Sequence, residues 1–160
     1  MILLALVLVL TCMPISAMAS ESQGKVIDFL NEGYYITDPD GNVVPTPFGY
    51  VIDEGVVLKP GYSLNAANNI WYTGNIMIFN AAVSNAKVSK LKLSAQVVGS
   101  SGGFTSLGNF KPTPSGGDWY GYLQSDKMLG SYYCYYRLQF TNTGTTTMTI
   151  DSLTGEETMP

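Results

Sequence analysis

Lys90-Leu91-Lys92-Leu93-Ser94-Ala95-Gln96-Val97 is the stretch that decides the fold class. Leu91, Leu93, Ala95 and Val97 fall at every second position, with Lys90, Lys92, Ser94 and Gln96 between them. A repeat of two is the period of a pleated strand with one buried face; an α-helix would repeat near 3.6. The run Tyr132 to Thr141 alternates in the same way. Tyr132, Cys134, Tyr136, Leu138 and Phe140 fall on one side, and Tyr133, Tyr135, Arg137, Gln139 and Thr141 on the other.

Outward from these two anchors, the chain reads as short β-rich runs separated by Gly, Pro, Asn and Asp. Tyr34 to Thr37, Val43-Val44, Phe48 to Ile52, Val56 to Leu58, Ile70 to Tyr72 and Asn75 to Val83 are such runs. So are Phe104 to Phe110, Trp119 to Leu123 and Thr145 to Ile150. Val26 to Leu30 fits a strand or a helical turn equally well. Asp38-Pro39-Asp40-Gly41-Asn42 has turn chemistry: Pro fixes φ, Gly supplies a positive φ, and Asp side chains hold nearby amides. Lys111 to Gly117 reads as a surface connection, and the residues from about Ser152 are expected to fray. About eight to ten strands at such spacings, with no 12-residue amphipathic helical pattern, imply an all-β fold. The expected architecture is an antiparallel β-sandwich, immunoglobulin-like or jelly-roll-like.

At the N-terminus, Ile2 to Leu10 is an apolar run of nine residues, followed by Pro14 and by Ala17-Met18-Ala19 before Ser20. That pattern matches a secretory signal peptide over residues 1–19, and the run is too short to span a membrane. The expectation is a secreted, extracellular chain whose residues 20–160 form one domain with no integral membrane span. An alternative is lipid anchoring through Cys12, since Val9-Leu10-Thr11-Cys12 faintly resembles a bacterial lipobox. Signal cleavage would leave Cys134 alone and exclude an internal disulfide.

Composition removes several function classes. The 160 residues carry a net charge of −4, and 12% of them are charged. The single arginine, Arg137, and seven lysines argue against a nucleic-acid partner, which needs clustered cations. With no histidine, triads that use it as base are closed. Two S-x-x-K matches, Ser84 to Lys87 and Ser89 to Lys92, lie at the start of an alternating strand and lack the partner motifs of penicillin-recognising enzymes. The adjacent carboxylates Asp53-Glu54 and Glu156-Glu157 sit in a turn and a tail, not across a cleft. Asp38, Asp40 and Asn42 form a weak calcium candidate, with Gly41 at the wrong loop position for an EF-hand. No cofactor is called for.

Aromatic side chains carry the remaining signal. The chain has 11 tyrosines and 2 tryptophans. Tyr133, Tyr135 and Arg137 are expected to project together opposite the core face of their strand, with Trp119 and Tyr120 as further ligand-binding candidates. The functional expectation is a non-catalytic module that meets a protein or glycan at the cell surface through such a face. A structural, self-assembling or toxin-like β-protein is the alternative, favoured if Thr145 to Thr149 forms a free edge. A small hydrolase comes last.

Overall fold

The computed structural model describes residues 26–45, 55–125 and 133–158. The described chain is nearly all β, arranged as two antiparallel sheets packed face to face. A six-stranded sheet contains β1 (Val26–Asp28), β4 (Val56–Leu58), β7 (Met77–Ser84), β10 (Lys111–Pro112), β11 (Tyr120–Ser125) and β13 (Met148–Glu157). A seven-stranded sheet contains β2 (Tyr34–Thr37), β3 (Val43–Val44), β5 (Ser63–Ala66), β6 (Ile70–Tyr72), β8 (Leu91–Val97), β9 (Thr105–Asn109) and β12 (Cys134–Asn142). The only helical element among the described residues is a 3₁₀ turn at Val88–Lys90.

Each sheet is organised around one long strand with two short strands end to end along one side. β12 pairs with β6 through Cys134 to Tyr136 and with β5 through Gln139 to Thr141; β8 lies along its other side. β13 pairs with β4 through Met148 to Ile150 and with β1 through Thr154 to Glu156; β7 lies along its other side. Alternation on these strands builds the core. Leu91, Leu93 and Ala95 of β8 and Tyr136, Leu138 and Phe140 of β12 point inward, and all are essentially inaccessible. They meet Met77, Phe79, Ala81, Val83, Ile150 and Leu153 from the opposing sheet. Phe140 is the hub: its ring lies 5.3 Å from Phe29, 6.4 Å from Phe79 and 6.4 Å from Phe110.

Several expectations change. The segment from Ser152 does not fray, because β13 continues to Glu157 in the interior of its sheet and buries Leu153. Thr154, Gly155 and Glu156 find partners on both sides, and that pairing outweighs a polar, glycine-containing sequence. Thr145 to Thr149 accordingly offers no free edge, since Met148 and Thr149 pair with β4 and Thr149 also with β7. Lys111–Pro112 is a short edge strand against β11, where a proline costs no ladder bond on its outer side. Buried Phe110 marks the corner where the chain leaves one sheet for the other. Val26 to Leu30 resolves as a strand followed by a turn, which drops Phe29 into the core. The number of strands exceeds expectation because several consist of only two or three residues.

The signal segment, Cys12, the Phe48 to Ile52 run and Asp53-Glu54 lie outside the described residues. Cys134 is half-buried against the edge of the core and forms no disulfide.

Candidate functional site

The outer face of the seven-stranded sheet follows from the register. Trp71 of β6 stands directly opposite Tyr135 of β12. Their neighbours Ile70, Tyr72 and Tyr136 point into the core, so period 2 sends Trp71 and Tyr135 outward. The two rings meet edge to face, 4.8 Å between centroids and 60° between planes. Both stay about half exposed, Trp71 at 46% and Tyr135 at 51%. Cross-strand aromatic pairs fix each other's orientation at little entropic cost, so this one is a preformed apolar platform on the surface.

Two outward positions further along β12, beyond Arg137, runs a row of short polar side chains. Asn65 of β5 lies between Tyr35 of β2 and Gln139 of β12, and Ser94 of β8 follows in the same row. The Gln139 amide donates to Asn65 Oδ1 at 3.0 Å, and Asn65 Nδ2 donates to Thr37 Oγ1 at 3.1 Å. Ser63 and Thr141 hydroxyls lie 2.8 Å apart one row further on. Asn65 and Ser94 are buried although they face outward, because larger neighbours flank these short side chains. The row is therefore polar and held by hydrogen bonds.

Trp71 and Tyr135 also form one lip of a cleft of about 790 Å³. Phe29, Ile70 and Met77 supply its apolar lining; Asn68, Asn69, Thr73 and Asn75 supply amides and a hydroxyl, and Glu32 and Glu157 carboxylates. The Thr73 hydroxyl donates to Glu157. The cleft thus joins an apolar wall to several hydrogen-bonding side chains.

The five ligand-binding candidates divide between the two sides of the sandwich. Tyr135 and Arg137 do share the outer face of β12. Tyr133 is 71% exposed but precedes the strand with φ of 55°, so the alternation that would align it with Tyr135 does not reach it. Its backbone N–H donates to the Tyr72 carbonyl instead. Trp119 and Tyr120 belong to the six-stranded sheet: Tyr120 and Tyr122 project from β11, and Trp119 closes the turn before it. Gly121 between the two tyrosines packs so closely that a Cβ there would sit 2.8 Å from the Lys111 carbonyl. Trp71 escaped sequence reading. Ile70-Trp71-Tyr72 is apolar throughout, and three residues do not reveal which of them faces out.

The other candidates serve structure. Asp38 Oδ1 accepts backbone N–H bonds from Asp40 at 3.0 Å and Asn42 at 2.8 Å, and Oδ2 accepts the Asn42 side-chain amide at 3.1 Å. The Asn42 amide, then its backbone N–H, hold the Asp38 carboxyl below the usual carboxylate range. The loop weighed as a calcium site thus spends Asp38 on closing its own turn, with Asp40 left exposed. Among the described residues no three His, Cys, Asp or Glu side chains gather where they could hold a metal. Ser84 donates to Asp151 at 3.2 Å and Lys87 pairs with Asp118 at 3.0 Å, so the first S-x-x-K match does not form a dyad. Glu156 and Glu157 are consecutive in β13, and a strand points consecutive side chains to opposite faces.

Fold and face together describe an antiparallel sandwich with an aromatic platform on the outer face of one sheet. No family model matches the sequence, nor does any curated protein. Two solved structures share the fold. One is the xylan-binding module CBM15, at 19% identity and a TM-score of 0.53 over 85% of this chain and 98% of that one. The other is a variant of Xylanase10C from Cellvibrio japonicus in complex with xylopentaose, at 16% identity and a TM-score of 0.54 over 84% of this chain. The match spans 29% of that enzyme's length. At these identities the likeness is one of fold.

Proposed function

We propose that this protein is a secreted, non-catalytic β-sandwich that binds a polysaccharide of β-linked pyranoses, of which xylan is the first to test. The observation that carries the reading is the exposed Trp71–Tyr135 pair on the outer face of the seven-stranded sheet. A pyranose ring has a weakly apolar face that covers an aromatic ring, while its hydroxyls exchange hydrogen bonds with amides. Asn68, Asn69 and Asn75 in the cleft that the pair borders are suitably placed amides. The shared fold with a xylan-binding module supports the same reading. Export is supported by the apolar run Ile2 to Leu10 and by Ala17-Met18-Ala19 before Ser20. The absence of catalysis is supported by how the candidate groups are used: Ser84 and Lys87 are held by other residues, and Glu156 and Glu157 diverge.

Calorimetric titration of the chain beginning at Ser20 with soluble xylan and with xylopentaose tests the proposal. Saturable binding of either is expected. Failure of both, or release of reducing sugar on prolonged incubation, overturns it.

A further inference from the structure

The strands of the two sheets differ in charge. Those of the six-stranded sheet carry four carboxylates, Asp28, Asp151, Glu156 and Glu157, against one cation, Lys111. Those of the seven-stranded sheet carry two cations, Lys92 and Arg137, and no carboxylate at all. In a protein of net charge −4, the strands of this sheet carry a net positive charge. Arg137 is exposed, two residues along β12 from Tyr135 and on the same side of the strand, hence about 7 Å from it. Its cross-strand partner is the uncharged Gln96, and among the described residues its side chain makes no hydrogen bond or ion pair. An exposed arginine with no carboxylate partner among the described residues, close to an aromatic pair, has its planar donor fork available for a carboxylate.

We infer that the polysaccharide bound on this face is acidic, with uronic acid units whose carboxylate is taken by Arg137 while a neighbouring sugar covers Trp71 and Tyr135. Lys92, beside Thr141 on the same face, adds a weaker and more distant attraction. The cleft that Trp71 borders contains Glu157, which repels an anionic group, so the carboxylate belongs on the Arg137 side. This rests on the polysaccharide-binding reading and gives it a charge class.

The test compares a glucuronic-acid-substituted xylan with the same material after its carboxyls have been reduced to alcohols. The acidic form should bind about fivefold tighter at low salt, the scale of a solvent-accessible ion pair. That margin should shrink as ionic strength rises past physiological values. Arg137→Gln should bring the acidic form to the affinity of the reduced one, with an unchanged melting temperature showing that the variant folds. Equal binding of the two forms by the wild-type protein, or a preference that survives Arg137→Gln, overturns the charge assignment and leaves polysaccharide binding standing. Binding of neither form overturns both.

Discussion

The two outer faces of the sandwich are both aromatic, yet they differ in how their rings are held. On the six-stranded sheet Tyr120 and Tyr122 follow one another along a single strand, with Asn80 and Ala82 as their cross-strand partners. Their rings meet no other ring among the contacts seen. On the seven-stranded sheet Trp71 and Tyr135 come from different strands, are paired by the register, and touch edge to face. Further along the same face lies a hydrogen-bonded amide and hydroxyl row, and the charged residues within the strands of this sheet are Lys92 and Arg137. Exposure alone would not separate the faces, since their rings differ little in that respect. Preorganisation does, because a ligand landing on the seven-stranded sheet has less side-chain freedom to freeze.

The largest expected effect removes the basis of the comparison. Phe140→Ala takes the ring from the contact point of Phe29, Phe79 and Phe110, two of which come from the six-stranded side. Large-to-small replacement at such a site costs about 3–5 kcal/mol. Urea unfolding followed by tryptophan fluorescence and by circular dichroism should show both probes moving together to lower denaturant. Separated transitions would mean that the two sheets do not share one core.

Next comes the choice of face. Trp71→Ala should weaken binding by about 2 kcal/mol, or roughly thirtyfold, as for a buried aromatic anchor in a complex. The double replacement Tyr120→Ala, Tyr122→Ala should change it by no more than about 0.5 kcal/mol, the usual range for surface positions away from a contact. Titration of both variants with the same xylan decides. The reverse ordering would move the site to β11.

This division of the rings was only partly legible in the sequence. Strands that alternate over seven residues or more announced both their type and their buried side, which is why β8 and most of β12 were readable from Leu91 to Val97 and from Tyr136 to Thr141. Alternation stops being informative where the backbone leaves the extended region, as at Tyr133, or where a run is too short to phase, as at Trp71. Pairing is a further step that no local pattern contains. That Trp71 opposes Tyr135, and that Trp119 and Tyr120 lie on the other side, depends on strands more than sixty residues apart in one case. The tail misled for a related reason: Ser152 to Glu157 is polar, and only its position between β1 and β7 makes it a strand.

A smaller effect sharpens what the polar row contributes. Asn65→Ala removes an amide that accepts from Gln139 and donates to Thr37. Loss of a buried hydrogen-bonding group costs about 1–2 kcal/mol. A double-mutant cycle with Gln139→Ala should return a coupling of at least about 0.5 kcal/mol in stability, whereas Asn80→Ala on the opposite face should be additive with either. Additivity of Asn65 and Gln139 would reduce the row to two unrelated surface amides.

The smallest effect concerns the β2–β3 turn at the edge of the seven-stranded sheet. Asp38 is braced there by Asn42 and Asp40, which hold its carboxyl below the ordinary value. A carboxyl whose folded-state pKa is depressed binds its proton more weakly in the native than in the unfolded chain. Its stabilising contribution is therefore complete above the ordinary carboxylate pKa and is lost as pH falls through the lowered one. Asp38→Asn cannot titrate, so the melting temperature of the wild-type protein should exceed that of the variant at neutral pH. The gap should narrow below about pH 4, the onset of carboxylate protonation in unfolded chains. The turn is at the surface, so the gap is small, and 1 M salt should diminish it only in part because hydrogen bonds rather than a distant charge hold the carboxylate. A gap that is constant across the acid range would show that Asp38 acts through turn geometry alone, and that the charge distinction between the two sheets stops short of this edge.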